Sequence, residues 1–121
     1  MEREKTWEPE QELPDLTYLQ PFQRLAVRVL AQAFADALAP PRRNPYGRLY
    51  EFHRTRAGKA FFEHRWQRAW DLWDWCEVLS LDPFIVLDFY RRFPREAIST
   101  RVAVFLFVKY ITRNIGGSYD N

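Results

Sequence analysis

Apolar residues return every three or four positions through most of the chain, and that spacing is the period of an α-helix packed on one side. The clearest case is "PFQRLAVRVLAQAFADAL". Phe22, Leu25, Ala26, Val29, Leu30, Ala33, Phe34 and Ala37 form one stripe, with Arg24, Arg28, Gln32 and Asp36 opposite. Pro21 suits the first helical position, and Pro40 and Pro41 end the run. After a connector the period resumes near Thr55. Ala57, Ala60 and Phe61 lie along one side, then Trp70, Trp73, Cys76 and Leu79 follow at intervals of three. These two pieces form one bent helix or two separate ones. A short helix is predicted over "PFIVLDFYRRF", with Asp82 as its N-cap, Pro83 at its first position and Pro94 beyond its end.

The segment from Ile98 to Ile115 carries both signals. Its β-branched and aromatic residues suit a strand. Ile98, Val102, Phe105, Leu106, Lys109 and Ile111 fall at near-helical intervals, and Gly and Pro are absent until Gly116 and Gly117. We read it as a helix stopped by those glycines. The connector "PPRRNPYGRLYEFHRTR" carries three prolines and Gly47 and is expected to be a loop with a possible extended piece. With no hairpin recognised, the expected fold is all-α. It is a small bundle of about five helices over residues 21–115, preceded by an extended acidic segment, 1–20, and followed by a flexible tail, 116–121.

Composition adds constraint where it departs from the average. Aromatic residues make up 17% of the 121 residues. Each buried ring hides roughly 150–250 Å², so even a chain of this size can build a core. Net charge is only +2, but it is banded: acidic over 1–20, basic over 40–68, acidic over 69–88 and basic over 91–113. Such bands either neutralise one another within the fold or meet a charged partner. Arginine outnumbers lysine fifteen to three. Arginine forms two-pronged hydrogen bonds to phosphate and stacks on aromatic faces.

Candidate chemistry is sparse. His53 and His64 lack partners at metal-ligand spacing, and no glycine-rich phosphate loop or nucleophile elbow is present. Asp71, Asp74 and Glu77 share a helical flank, where a solvated face or pairing with arginine outweighs acid–base catalysis. We therefore expect no enzyme, no metal and no cofactor. The lone Cys76 and the polar start "MEREKTWEPE" fit a cytoplasmic protein. The longest apolar run, Val102 to Val108, is far short of a membrane span.

One stretch has a shape of its own. In "DLWDWCEVLSLDPFIVLDFYRR", Cys76 is the small residue where two helices cross, and Leu79, Ser80, Leu81, Asp82 and Pro83 make the turn. Val86 is the aliphatic residue early in the second helix. The stretch resembles the helix-turn-helix of bacterial and phage regulators, with Ser80 where glycine is usual. More widely, "LAVRVLAQAFADAL" and "AGKAFFEHRWQRAWDLWDWCEVLSLDP" resemble a group of small, largely uncharacterised phage and prophage proteins. The shared residues are Trp75, Cys76, Glu77, Leu79, Leu81, Asp82 and Pro83, and the likeness spans about half the chain. The basic connector and the apolar second helix depart from that group.

The resemblance implies a phage setting more than a function, and two partners stay open, DNA and a host protein such as RNA polymerase. The second helix offers Phe84, Ile85, Val86, Leu87 and Asp88 before any arginine, a poor face for base edges. Nucleic-acid contacts are therefore expected from Arg42, Arg43, Arg48, Arg54, Arg56, Arg91, Arg92 and Arg95 through phosphate. The alternative is an adaptor or inhibitor that binds protein, or its own copies, through aromatic surface.

Overall fold

The computed structural model describes residues 14–63, 70–94 and 99–115. Among them five helices and one short hairpin follow in order: α1 (Pro21–Leu38), β1 (Arg42–Arg43), β2 (Leu49–Tyr50), α2 (His53–Glu63), α3 (Leu72–Val78), α4 (Pro83–Arg92) and α5 (Thr100–Arg113). The bundle is all-α apart from that two-stranded ribbon.

Local residues set most of these boundaries. Gln20 donates its backbone N–H to Gln23 Oε1 at 3.0 Å, and Pro21 opens α1. Of the expected carboxylate flank, Glu77 is exposed, whereas Asp71 is buried and Asp74 half-buried, and these two cap the helix. Asp71 Oδ1 accepts from the Asp74 N–H at 3.1 Å, and Asp74 Oδ2 accepts from the Asp71 N–H at 2.9 Å. This reciprocal box starts α3 by satisfying donors that the first helical turn leaves open. Asp82 caps α4 through the Phe84 N–H at 2.9 Å, and Ser99 caps α5 through the Val102 N–H at 3.3 Å.

The end of α3 forms a closed turn. Leu81 N–H reaches the Cys76 carbonyl at 2.9 Å, and Ser80 N–H reaches Glu77 at 3.0 Å. This is the Schellman pattern, whose penultimate residue sits in the left-handed region. Ser80 has φ +50°. Left-handed backbone costs a residue with a Cβ about 1–2 kcal/mol. Glycine avoids that cost but gives back part of it in unfolded-chain entropy. Ser80→Gly will therefore raise stability by roughly 0.5–1 kcal/mol, seen as a higher urea midpoint; a lower midpoint would show that serine makes a compensating bond.

α1 is the central element. Ala26, Val27, Leu30, Ala31, Phe34 and Ala37 are buried along it. α2 crosses so closely that a Cβ on Gly58 would lie 2.5 Å from the Ala37 nitrogen and 2.7 Å from the Ala33 carbonyl. The buried face of α2 is therefore Thr55, Gly58 and Phe62. The expected Ala57, Ala60 and Phe61 lie half-buried beside it, and the helix starts two residues before Thr55. α2 and α3 are distinct elements, since Asp71 starts a helix of its own.

α5 confirms the helical reading of the last segment but not its face. Ala103, Val104, Phe107, Val108 and Ile111 are buried, whereas Val102, Phe105 and Leu106 are exposed. The helix ends at Arg113 with Asn114 as its cap, ahead of the glycines. Before α1, Leu16 and Leu19 are buried in the same core. Residues 1–13 and the tail 116–121 lie outside the described residues.

Candidate nucleic-acid interface

The connector contains the extended piece it allowed, but as two short strands paired in a hairpin that was not expected. Arg42 pairs with Tyr50 and Arg43 with Leu49 in antiparallel register. The turn is built by Asn44. Its Oδ1 accepts from Tyr46 N–H at 2.9 Å and Arg48 N–H at 3.0 Å, while its carbonyl accepts from Gly47 N–H at 2.9 Å. Pro45 has the fixed φ that the second turn position wants, and Gly47 has φ +81°. A four-residue turn whose last residue is a left-handed glycine is a standard hairpin connection.

Five of the proposed arginines lie on the hairpin or just after it, Arg42, Arg43 and Arg48 beside the turn and Arg54 and Arg56 at the start of α2. All of them, Arg42, Arg43, Arg48, Arg54 and Arg56, are exposed. The hairpin also exposes Tyr46, at 88%, and Leu49 and Tyr50. Several of the guanidinium groups are held in place. Arg43 Nη1 donates to the Gly47 carbonyl at 2.7 Å, bracing the turn, and Arg42 Cζ lies 4.9 Å from the centre of the Phe52 ring. Arg56 donates to the Glu51 carbonyl at 3.4 Å, and Lys59 is bonded to the Glu51 carboxylate. Arg54 forms a 3.2 Å ion pair with Asp36 at the end of α1. Against these five arginines the segment carries Glu51 alone as an acid. The ribbon therefore presents fixed positive charge interleaved with exposed rings.

The second proposed group is elsewhere. Arg91 and Arg92 are exposed in the last turn of α4, where they complement the negative end of the helix dipole. Arg92 pairs with Asp88 one turn back at 2.9 Å. Arg95 lies outside the described residues. No described contact joins Arg91 or Arg92 to the hairpin.

The helix-turn-helix corner has the predicted construction. Cys76, Leu79 and Val86 are fully buried, Asp82 caps α4 and Pro83 opens it. Burial pushes the Cys76 thiol up to about 12, with Asp82 and Asp71 adding to the rise. A thiol that stays protonated and enclosed is a packing group, not a nucleophile. α4 turns Val86, Leu87 and Tyr90 inward. Its outer face carries Phe84, 65% exposed, then Asp88, Arg91 and Arg92. The first two turns offer a phenyl ring and a carboxylate, neither suited to reading base edges.

Two parts of this arrangement were missed in the sequence. One is the ribbon, signalled by "NPYG". The other is an open cleft of about 260 Å³ beside α1 and α2, lined in part by Trp70, Trp75 and Asp36. Among the described residues no three His, Cys, Asp or Glu side chains cluster as metal ligands, and no helix is long and apolar enough to cross a membrane. Comparison of the chain with protein-family models, with curated proteins and with solved structures returns no match, so the reading rests on the residues themselves.

Proposed function

We propose that the chain is a small phage-type regulatory protein that binds nucleic acid through phosphate contacts from the 42–50 hairpin and the start of α2, and so affects transcription. The observation that carries this reading is the exposed ribbon on which Arg42, Arg43 and Arg48 alternate with Tyr46 and Tyr50. Two-stranded ribbons fit a major groove, and exposed rings offer stacking surface to unpaired bases. The corner that resembles phage regulators supports the regulatory setting, but as scaffold and not as reader. Arg91 and Arg92 become secondary, since one of them already neutralises Asp88.

Phosphate binding releases counterions, so affinity falls with salt at a slope of about 0.9 per neutralised phosphate on duplex DNA. Fluorescence anisotropy with duplex and single-stranded DNA across a salt series tests the reading. The triple variant Arg42→Ala, Arg43→Ala, Arg48→Ala will flatten the slope on duplex DNA by about 2–3 and keep a normal melting temperature. Arg91→Ala with Arg92→Ala will change it less. No binding by the unaltered chain even at low salt would overturn the proposal.

A second reading is favoured by one observation. Val102, Phe105 and Leu106 make an exposed apolar stripe on α5, the kind of surface that anchors protein partners or copies of the same chain. A sedimentation profile that shifts to monomer with Leu106→Glu would support it.

A further inference from the structure

The cleft beside α1 and α2 is built from two kinds of wall. Trp70, Trp75 and Phe61 supply aromatic surface, and Gln32 and Asp36 supply polar atoms. Trp70 and Trp75 lie with ring centres 4.7 Å apart, tilted by 43°, and Phe22 packs edge-on against Trp70 at 6.0 Å. Trp70 is nevertheless 46% exposed, so aromatic surface remains open to a flat ligand.

The polar wall is specific. Asp36 Oδ1 accepts from Gln32 Nε2 at 3.0 Å and from Arg54 at 3.2 Å. Both donors use the same oxygen. Among the described residues no hydrogen bond is made to Asp36 Oδ2, and Asp36 lines the cleft with 20% of its side chain exposed. Arg54 also ties this wall to the basic start of α2.

We infer that the cleft takes one unpaired nucleobase bearing an exocyclic amino group, stacked on Trp70 and donating to Asp36. This deepens the nucleic-acid reading and rests on it. A carboxylate accepts from an amino group such as cytosine N4, whereas thymine places a carbonyl oxygen at that position and would face the carboxylate with like polarity. Guanidinium or ammonium ligands also suit rings beside a carboxylate. Asp36, however, already has an arginine partner, and the adjacent positive band favours a polyanion.

The test compares oligodeoxycytidylate with oligodeoxythymidylate of equal length at slightly alkaline pH, where cytosine is neutral and unstructured. Tryptophan quenching reports occupancy and anisotropy reports affinity. The cytosine strand will quench and bind roughly tenfold more tightly, the scale of one base–aromatic stack with its hydrogen bond. Trp70→Ala, at a half-exposed site and with its fold checked by circular dichroism, will bring the cytosine strand down to the thymine level and leave duplex affinity unchanged. Asp36→Asn will narrow the cytosine preference while stacking persists. Equal affinity for both strands, insensitive to Trp70, would overturn the cleft assignment while duplex binding still upheld the hairpin. Absence of binding to every strand and duplex would overturn both.

Discussion

Phe34→Ala will cost about 3–5 kcal/mol of folding stability, the range for removing a fully buried aromatic ring. Phe34 has no exposed surface and lies where four helices meet. Its ring stacks on Phe107 of α5 at 4.3 Å, with an interplanar angle of 7°. It also meets Phe62 of α2 at 6.2 Å, Phe89 of α4 at 5.8 Å and Phe93 at 5.6 Å, with Tyr90 at 6.4 Å. Truncation therefore leaves a void bordered by rings on separate elements, and rings cannot collapse into a gap as flexible side chains do. The same rings make a second stack, Phe62 on Tyr90 at 4.4 Å, and the Tyr90 hydroxyl donates to Glu63 at 2.6 Å. Loss of Phe34 loosens that pair too. The expected drop in melting temperature is on the order of 15 °C. Phe105→Ala, at an exposed position of α5, will shift stability by about 0.5 kcal/mol or less. Urea melts of both variants check the contrast. A Phe34→Ala loss near that of Phe105→Ala would mean that the ring cluster is not the keystone of the core.

The contrast also shows what the sequence could and could not disclose. Helix boundaries were legible where punctuation is local. Pro21 and Pro40 bracket α1, and Asp82-Pro83 opens α4, because a cap or a proline acts within its own turn. The corner was legible for the same reason, and Ser80, which stands where glycine is usual, proves to be left-handed. The inward face of α5 was not. It is apolar on both sides, so period alone offers two stripes, and only the neighbours choose Phe107 over Phe105. Gly58 was passed over because its role is tertiary: it removes a side chain that would strike the backbone of α1. An isolated glycine inside a helical pattern was the available signal.

The candidate interface shows the same division. The arginines were legible as a basic band, but charge along a chain does not say which residues share a surface. Each strand of the ribbon has two residues, too few for an alternating pattern to register. The turn carried the information instead: asparagine, proline and glycine in "NPYG" each supply a separate requirement of a hairpin connection. The turn brings Arg43 and Arg48 to one ribbon and exposes Tyr46. The cleft depends on Trp70 and Trp75 meeting Gln32 and Asp36 across elements, a juxtaposition that no local spacing announces.

Val86→Asp will unfold the domain at neutral pH, and the effect separates the corner as scaffold from the corner as surface. Val86 of α4 is fully buried, as are Cys76 of α3 and Leu79 at its end. A carboxylate there must either ionise in an apolar site or take a proton, and full burial raises such a pKa by up to about 3–5 units. At about 1.4 kcal/mol per unit, and with only about three units between the ordinary carboxylate value and neutrality, that is roughly 4 kcal/mol at neutral pH. Losing the buried valine adds about 1.5–3 kcal/mol. Together these rival the roughly 5–15 kcal/mol that holds a domain of this size. The sign of the pH dependence follows. The folded-state pKa is raised, so the penalty is full above it and fades as pH falls through it toward the ordinary carboxylate value near 4. Acid will therefore recover part of the lost helix signal in Val86→Asp, whereas Val86→Asn, which cannot ionise, will show no such recovery beyond that of the unaltered chain. Circular dichroism melts at neutral and mildly acidic pH distinguish the two variants. A normal, pH-independent melt for Val86→Asp would place residue 86 at the surface. It would return α4 to consideration as a helix that reads a partner, where its burial now makes it one that holds the fold together.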